Sequence, residues 1–197
     1  MKWVVENLKT LFYALIIALF IRSLVIQPFY IPSSSMEPNL LVGDRLFVTK
    51  TSYGYSKHSF PFSPPILNGR ILNKKPQRGD VIVFKTPADN RTDYIKRLIG
   101  LPGDEIQFIN GELYINNSQV IKTILKKNDT LYCGPHKIEV NTFKEQLPSG
   151  KTYTASYRKD VSYTDSDKFL VPEKHFFMIG DNRDCSKDSR FLSEVGY

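Results

Sequence analysis

Ile106-Gln107-Phe108-Ile109-Asn110-Gly111-Glu112-Leu113-Tyr114-Ile115 is the stretch that decides the fold class. Two short runs rich in β-branched and aromatic residues flank Asn-Gly, and both residues of that pair tolerate positive φ, so the segment predicts a tight β-hairpin. Upstream, Leu101-Pro102-Gly103-Asp104 turns the chain, and Asp93-Tyr94-Ile95-Lys96-Arg97-Leu98-Ile99 reads as the preceding strand. Before that, Arg78-Gly79-Asp80 opens into the apolar strand Val81-Ile82-Val83-Phe84, with a polar loop around Asp89 and Asn90 between them. Downstream, from about Asn116 to Asp167, the chain is rich in Lys, Asn, Thr and Tyr and is expected to form a β-rich insert. Residues 52–75 hold a Pro- and aromatic-rich loop, Phe60-Pro61-Phe62-Ser63-Pro64-Pro65, with little periodic pattern. The sequence shows no internal repeat. The predicted class is mostly antiparallel β behind one helix.

That helix lies at the N-terminus. Leu11 to Ile26 reads LFYALIIALFIRSLVI, with Arg22 its single charge. At 1.5 Å per residue this run spans roughly 24 Å, slightly short of a bilayer core. Trp3, Val4 and Val5 can lengthen it, and Arg22 can snorkel to the headgroups. A cleavable signal would need a small-x-small site after the apolar run, and none follows, so an uncleaved anchor is expected. Lys2, Lys9 and the free amine favour a cytoplasmic N-terminus. The 197 residues carry 27 Lys and Arg against 20 Asp and Glu, a net charge of +7. A basic balance suits nucleic acid or an anionic membrane surface, but the cations are scattered and form no block, which argues against nucleic acid. Cys133 and Cys185 are too few for a disulfide scaffold and fit no zinc spacing; one disulfide or two free thiols both remain open.

Three segments could carry chemistry. Ile31-Pro32-Ser33-Ser34-Ser35-Met36-Glu37-Pro38-Asn39-Leu40 sets three hydroxyls between two prolines that fix an extended backbone; alone it would read as a polar linker. Lys96 shares its strand face with Tyr94 and Leu98, while Arg97 faces the other way with Ile95 and Ile99. To act as a base, Lys96 must fall from about 10.4 to near neutrality, roughly 4 kcal/mol that burial can supply. The bland alternative is a solvated lysine on an edge strand. Gly180-Asp181-Asn182-Arg183-Asp184-Cys185-Ser186-Lys187-Asp188-Ser189-Arg190, after the apolar run Phe176 to Ile179, predicts a networked loop. A calcium loop is excluded because Arg183 and Cys185 occupy ligand places.

PSSSMEPNL, RGDVIVFK, YIKRLIGLPGD and GDNRDCSKDSR together resemble, in order, the blocks of bacterial type I signal peptidases. The resemblance implies a membrane-bound endopeptidase that removes signal peptides from exported preproteins, with no cofactor and no metal. It implies Ser35 as nucleophile and Lys96 as general base, with the Ser33 hydroxyl and the Ser35 N–H as the oxyanion hole. It further implies Ser186 as the residue orienting the lysine, and Arg97, Asp181, Asp188 and Arg190 as a salt-bridged scaffold. Family members usually have Asn where this chain has Cys185. Small residues at the first and third positions before the cut are the implied preference, and secretory preproteins and membrane lipid are the implied partners. The implied organisation is a cytoplasmic N-terminus at 1–10, a transmembrane anchor at 11–27, a catalytic β-core at 28–104 and 171–197, and an inserted β-rich lobe at 105–170. The implied location is the bacterial inner membrane, single-pass, with the catalytic domain on its outer, periplasmic side. Relatives usually continue beyond the last block, so the chain is expected to be a C-terminally truncated piece.

Other readings are weaker. His58, His136 and His175 lie in no nucleophile or oxyanion motif, which disfavours a Ser-His-Asp triad. Ser156-Tyr157-Arg158-Lys159 matches Ser-x-x-Lys, but no partner motif accompanies it. Cys133-x-x-His136 would be half of a metal site with no other half. A self-cleaving Ser-Lys repressor would carry a DNA-binding domain where this chain has an anchor. A membrane-tethered binding domain that cleaves nothing would leave the contexts of Ser35 and Lys96 unexplained.

Overall fold

A computed structural model describes residues 2–160 and 165–191. The last part of the expected 171–197 segment, residues 192–197, lies outside the described residues. Contacts divide the chain into two compact units: residues 2–30 with Arg45–Pro76, and Ile31–Asp44 with the chain from Gln77 onward.

In the first unit, helix α1 runs from Lys2 to Leu24, 23 residues. At 1.5 Å per residue it is about 35 Å long, enough to cross a bilayer core. Its apolar side chains are exposed on all sides, as expected of a helix whose solvent is lipid. It starts nearer the N-terminus than the run from Leu11 suggested and stops before residue 27, because Ile26 already belongs to a strand. Strand β1 (Ile26–Tyr30) pairs antiparallel with β2 (Arg45–Thr49), Ile26 opposite Thr49 and Tyr30 opposite Arg45. Pro28 is tolerated because both strands of a two-stranded ribbon are edges. The Tyr55 hydroxyl donates to Leu24 O at 2.8 Å and satisfies a carbonyl that the helix end would otherwise leave bare. The Pro-rich stretch holds only a 3-10 turn, Lys57–Ser59, and a single bridge between Tyr55 and Ile71.

The second unit is built of short antiparallel strands. β3 (Val81–Lys85) and β4 (Asp93–Gly100) form a hairpin with Ile82 opposite Lys96. β5 (Glu105–Ile109) and β6 (Glu112–Ile115) form the hairpin expected at Asn110-Gly111, whose φ angles are 51° and 76°. β7 (Ser118–Gln119) extends that sheet. The long strands β8 (Ile121–Cys133) and β9 (His136–Gln146) pair with one another, and β10 (Thr152–Arg158) lies against β9. β11 (Phe169–Leu170) joins β5, and β12 (Phe177–Ile179) joins β4. The sheet orders are β10-β9-β8, β11-β5-β6-β7 and β12-β4-β3. One apolar cluster draws on most of these strands: Phe108, Leu113 and Ile115, then Tyr153, Ala155 and Tyr157, and also Ile99, Phe177 and Ile179. Strands β5, β6, β10 and β11 therefore share a core with β4 and β12. The stretch that contacts separate from the rest of the strands is Arg45–Pro76.

Candidate active site

The serine segment closes into a 3-10 turn, Ser34–Met36. Met36 plugs into the core with no exposed surface, and its carbonyl accepts from Asn39 N and Leu40 N, each at 3.0 Å. Ile31 pairs with the returning chain through Ile31 N to Asp44 O and Gly43 N to Ile31 O, both 2.9 Å. From the far end of the chain, Asn182 N donates to Ser35 O at 3.1 Å and Asn182 Nδ2 to Ser34 O at 3.1 Å. Ser35 is thus held by backbone contacts on both sides and is only 6% exposed. Ser33 Oγ and Ser35 Oγ are 3.4 Å apart.

Lys96 sits on β4, which has a partner on each side, so it is a central-strand residue and not the solvated edge lysine of the bland reading. It is 4% exposed. Its Nζ donates to Ser35 Oγ at 2.6 Å, across 61 residues of sequence, and lies 5.3 Å from the centre of the Tyr94 ring. Burial is the main influence on its pKa and lowers it to about 8. Arg190 pushes the same way, while the carboxylates of Asp188 and Asp181 oppose it.

The charged groups around this pair are joined in buried ion pairs. Ile179 lies opposite Arg97 in the β12–β4 register, so Asp181, two residues on, meets the Arg97 guanidinium. The contact is bidentate, Nε to Oδ1 and Nη2 to Oδ2, each 2.7 Å. Asn39 Nδ2 also donates to Asp181 Oδ2, at 2.8 Å, tying the segment after Ser35 to the same carboxylate. Asp188 and Arg190 form a second buried pair through Nε to Oδ1 at 2.8 Å and Nη2 to Oδ2 at 2.9 Å. Burial pushes the Asp188 carboxyl up, but Arg190 and the Gly180 N–H outweigh it and hold it below the usual range. The Ser186 hydroxyl is buried and meets no partner at ordinary hydrogen-bond geometry, yet it lies close enough to Asp188 to help lower that pKa.

Several members of the site gave little sign in the sequence. Gly180 is required by space: a Cβ there would overlap the Ser186 side chain and Ser35 O. Arg183 is buried with Glu145, at 2.6 Å from Nη2 to Oε2, and its Nη2 also donates to Tyr153 Oη at 2.8 Å. Arg183 Nε donates to Gly180 O at 3.2 Å, so this network supports the turn entering the site. Burial and Glu145 raise the hydroxyl pKa values of both Tyr153 and Tyr157, so these groups stay protonated donors. Arg183 is visible within its motif. Glu145 is not, because β9 loses strict alternation between buried Thr142 and buried Glu145. Cys133 and Cys185 form a disulfide. That bond removes Cys133-x-x-His136 as half a metal site, and among the described residues no group of three or more His, Cys, Asp or Glu could hold a metal. Ser156 is buried and donates to Glu37 O at 3.4 Å, whereas Lys159 is exposed and pairs with Glu139, so they form no dyad.

Residues 4–197 match the family described as signal peptidase, peptidase S26. A signal peptidase I of Rickettsia typhi (strain ATCC VR-144 / Wilmington) is 41% identical over 199 residues, covering 96% of this chain and 74% of the relative. One from Rickettsia akari (strain Hartford) is 44% identical over 188 residues, covering 90% and 69%. The crystal structure of a signal peptidase I from Enterococcus faecalis V583 is 30% identical and covers 60% of this chain and 87% of that one, with a TM-score of 0.36. With the family match spanning nearly the whole sequence and relatives this similar, the chain belongs to the signal peptidase family, peptidase S26, and is a serine endopeptidase.

Proposed function

We propose that the chain is a membrane-bound endopeptidase that removes N-terminal signal peptides from exported preproteins by a Ser–Lys dyad. The observation that carries this is the 2.6 Å approach of Lys96 Nζ to Ser35 Oγ in a buried setting. A serine hydroxyl is a poor nucleophile at neutral pH until a neighbouring base accepts its proton. Lys96, with its pKa lowered to about 8, supplies an appreciable neutral fraction. The neutral amine takes the Ser35 proton as Oγ attacks the scissile carbonyl, and the resulting ammonium protonates the leaving amine. Water activated by the same amine then releases the acyl-enzyme.

The Ser33 hydroxyl and the Ser35 N–H receive the oxyanion. Oxyanion donors commonly contribute about 3–4 kcal/mol each, so losing Ser33 slows the reaction severely without ending it. In this reading Ser186, which is buried close to the Asp188 carboxylate and Gly180, is the residue that orients Lys96. Arg97 with Asp181, and Asp188 with Arg190, fix the loop that presents it. Helix α1 is the anchor; residues 1–10 lie at its cytoplasmic end, and the β-unit works on the opposite face of a bacterial inner membrane. The substrate segment before the cut docks as an added strand.

Ser35→Ala and Lys96→Ala test the dyad. Each is expected to abolish cleavage of a preprotein in detergent or lipid while the circular dichroism of the full chain stays native. Turnover by either variant at a rate near that of the unaltered chain would overturn the assignment.

A further inference from the structure

The disulfide occupies a place that a stabilising crosslink elsewhere on the surface would not. Cys133 is the last residue of β8, opposite His136 across the hairpin turn. Cys185 closes the 3-10 turn Arg183–Cys185 and directly precedes Ser186. Their Cα atoms are 5.4 Å apart and 52 residues apart in sequence. Non-covalent contacts at the same spot reach the nucleophile segment. Tyr132 N donates to the Glu37 carboxylate at 3.1 Å, and Asn182 Nδ2 donates to Tyr132 O at 3.2 Å while also holding Ser34 O. β8 is the edge strand of its sheet, and most of its residues before Leu131 are exposed, so little else pins its far end. Three pieces of chain thus meet here: the end of β8, the nucleophile turn, and the loop that carries Asn182 and Ser186. The one covalent tie among them is the disulfide.

We infer that the Cys133–Cys185 disulfide is a positioning crosslink for the catalytic dyad, holding the loop that carries Asn182 and Ser186 in place beside Ser35, so that full activity requires the oxidised chain. The inference rests on the Ser–Lys reading of the site. Both cysteines are partly exposed, so a dithiol can reach them. Two exchange steps transfer two electrons and two protons from the dithiol to the chain, leaving Cys133 and Cys185 as thiols and the reductant as its own cyclic disulfide. With the tie opened, the start of the 183–186 turn keeps the buried Arg183–Glu145 ion pair and the Arg158 N to Asp184 hydrogen bond, but the end of β8 loses its covalent link to the residue before Ser186. Displacement of a positioning group by about 1 Å can cost up to a hundredfold in rate. Disulfides persist on the oxidising side of a bacterial inner membrane and are reduced in the cytoplasm. The crosslink therefore restricts efficient cleavage to chains that have already been exported.

The test compares the oxidised full chain in detergent, the same chain reduced with dithiothreitol, and the double variant Cys133→Ser/Cys185→Ser. All three cleave a preprotein-derived peptide at a temperature where the oxidised chain is fully folded by circular dichroism. Reduction is expected to lower kcat roughly tenfold or more with KM changed less than about twofold. Reoxidation should restore it. The double variant should start at the reduced level and ignore dithiothreitol. Water admitted around Lys96 should also move the half-maximal pH of kcat upward, a change that lost stability alone would not produce. A reduced chain with two titratable thiols and an unchanged kcat and pH profile would overturn the inference. So would loss of native dichroism together with activity, since the bond would then hold the fold and not the site. Absence of cleavage by the oxidised chain would instead count against the dyad.

Discussion

Replacing Lys96 with Met should make the protein more stable at neutral pH while ending catalysis. Methionine nearly conserves the volume of the buried stem, so no large cavity opens beside Tyr94 and Leu98. The amine has been brought from an ordinary value near 10.5 to about 8, chiefly by burial. Each pH unit of separation is about 1.4 kcal/mol, so the folded chain below pH 8 carries a cost of about 3 kcal/mol for this one group. Between pH 8 and 10.5 the unfolded chain holds a proton that the folded chain has released, so wild-type stability rises with pH through that window and the cost vanishes above it. Loss of the hydrogen bond to Ser35 Oγ offsets about 1 kcal/mol. Lys96→Met should therefore be more stable by about 2 kcal/mol near pH 6, and less stable by about 1 kcal/mol above pH 10.5. Reversible urea unfolding of the full chain in detergent, followed by circular dichroism at both pH values, measures the difference. A Met variant that is less stable near pH 6, or a gap that does not change with pH, would refute the claim that the lysine is held dry at a cost.

Preprotein cleavage by the unaltered chain should rise with pH and reach half its maximal kcat near pH 8, the value to which burial brings Lys96; a pH–rate profile that stays flat from about pH 6 to 9 would exclude Lys96 as the base. Gly180→Ala should reduce kcat by about tenfold or more, because the added methyl collides with the Ser186 side chain and Ser35 O, and cost about 1–3 kcal/mol in urea unfolding. Glu145→Gln should cost about 3–5 kcal/mol of stability, since it leaves the Arg183 guanidinium buried without its counter-charge. Asn39→Ala keeps the Arg97–Asp181 pair but cuts its link to the segment after Ser35; kcat should fall while the unfolding free energy drops by no more than about 1 kcal/mol.

The hairpin at Asn110-Gly111 was legible because a tight turn has one demand, positive φ at both central residues, and few dipeptides meet it. The strand carrying Lys96 was legible from alternation, and its burial follows from β3 and β12 on either side, a tertiary fact that no local window contains. The ends of α1 were less clear. The apolar run marks only part of the helix, which starts earlier, at Lys2, and stops where β2 offers Ile26 a pairing partner. The site splits in the same way. Ser35, Lys96, Arg97, Asp181, Asp188 and Arg190 stand in short ordered blocks. Glu145 and Asn39 are ordinary residues made consequential by contacts 38 and 142 positions away. The cysteine pair could be counted but not paired, because the 5.4 Å that joins Cys133 to Cys185 exists only after β8 has run back to the site loop.

Buried charge explains why so many groups are needed to support two. An amine whose pKa is lowered by burial must be desolvated, and desolvation is indiscriminate: it reaches Arg97, Asp181, Asp188, Arg190, Glu145 and Arg183 as well. Burial of these six is offset because each acid meets an arginine in close hydrogen-bonded contact, Arg97 with Asp181, Arg190 with Asp188 and Arg183 with Glu145. Lys96 is treated differently. It touches a hydroxyl instead of a carboxylate, so it gains no counter-charge at contact distance, and the more distant pulls of Asp188 and Asp181 are opposed by Arg190. Had Asp181 reached Lys96 and not Arg97, the ammonium would be stabilised and the base lost. On the proposed Ser–Lys reading the arginines serve the reaction by occupying the acids, which leaves Lys96 desolvated beside Ser35.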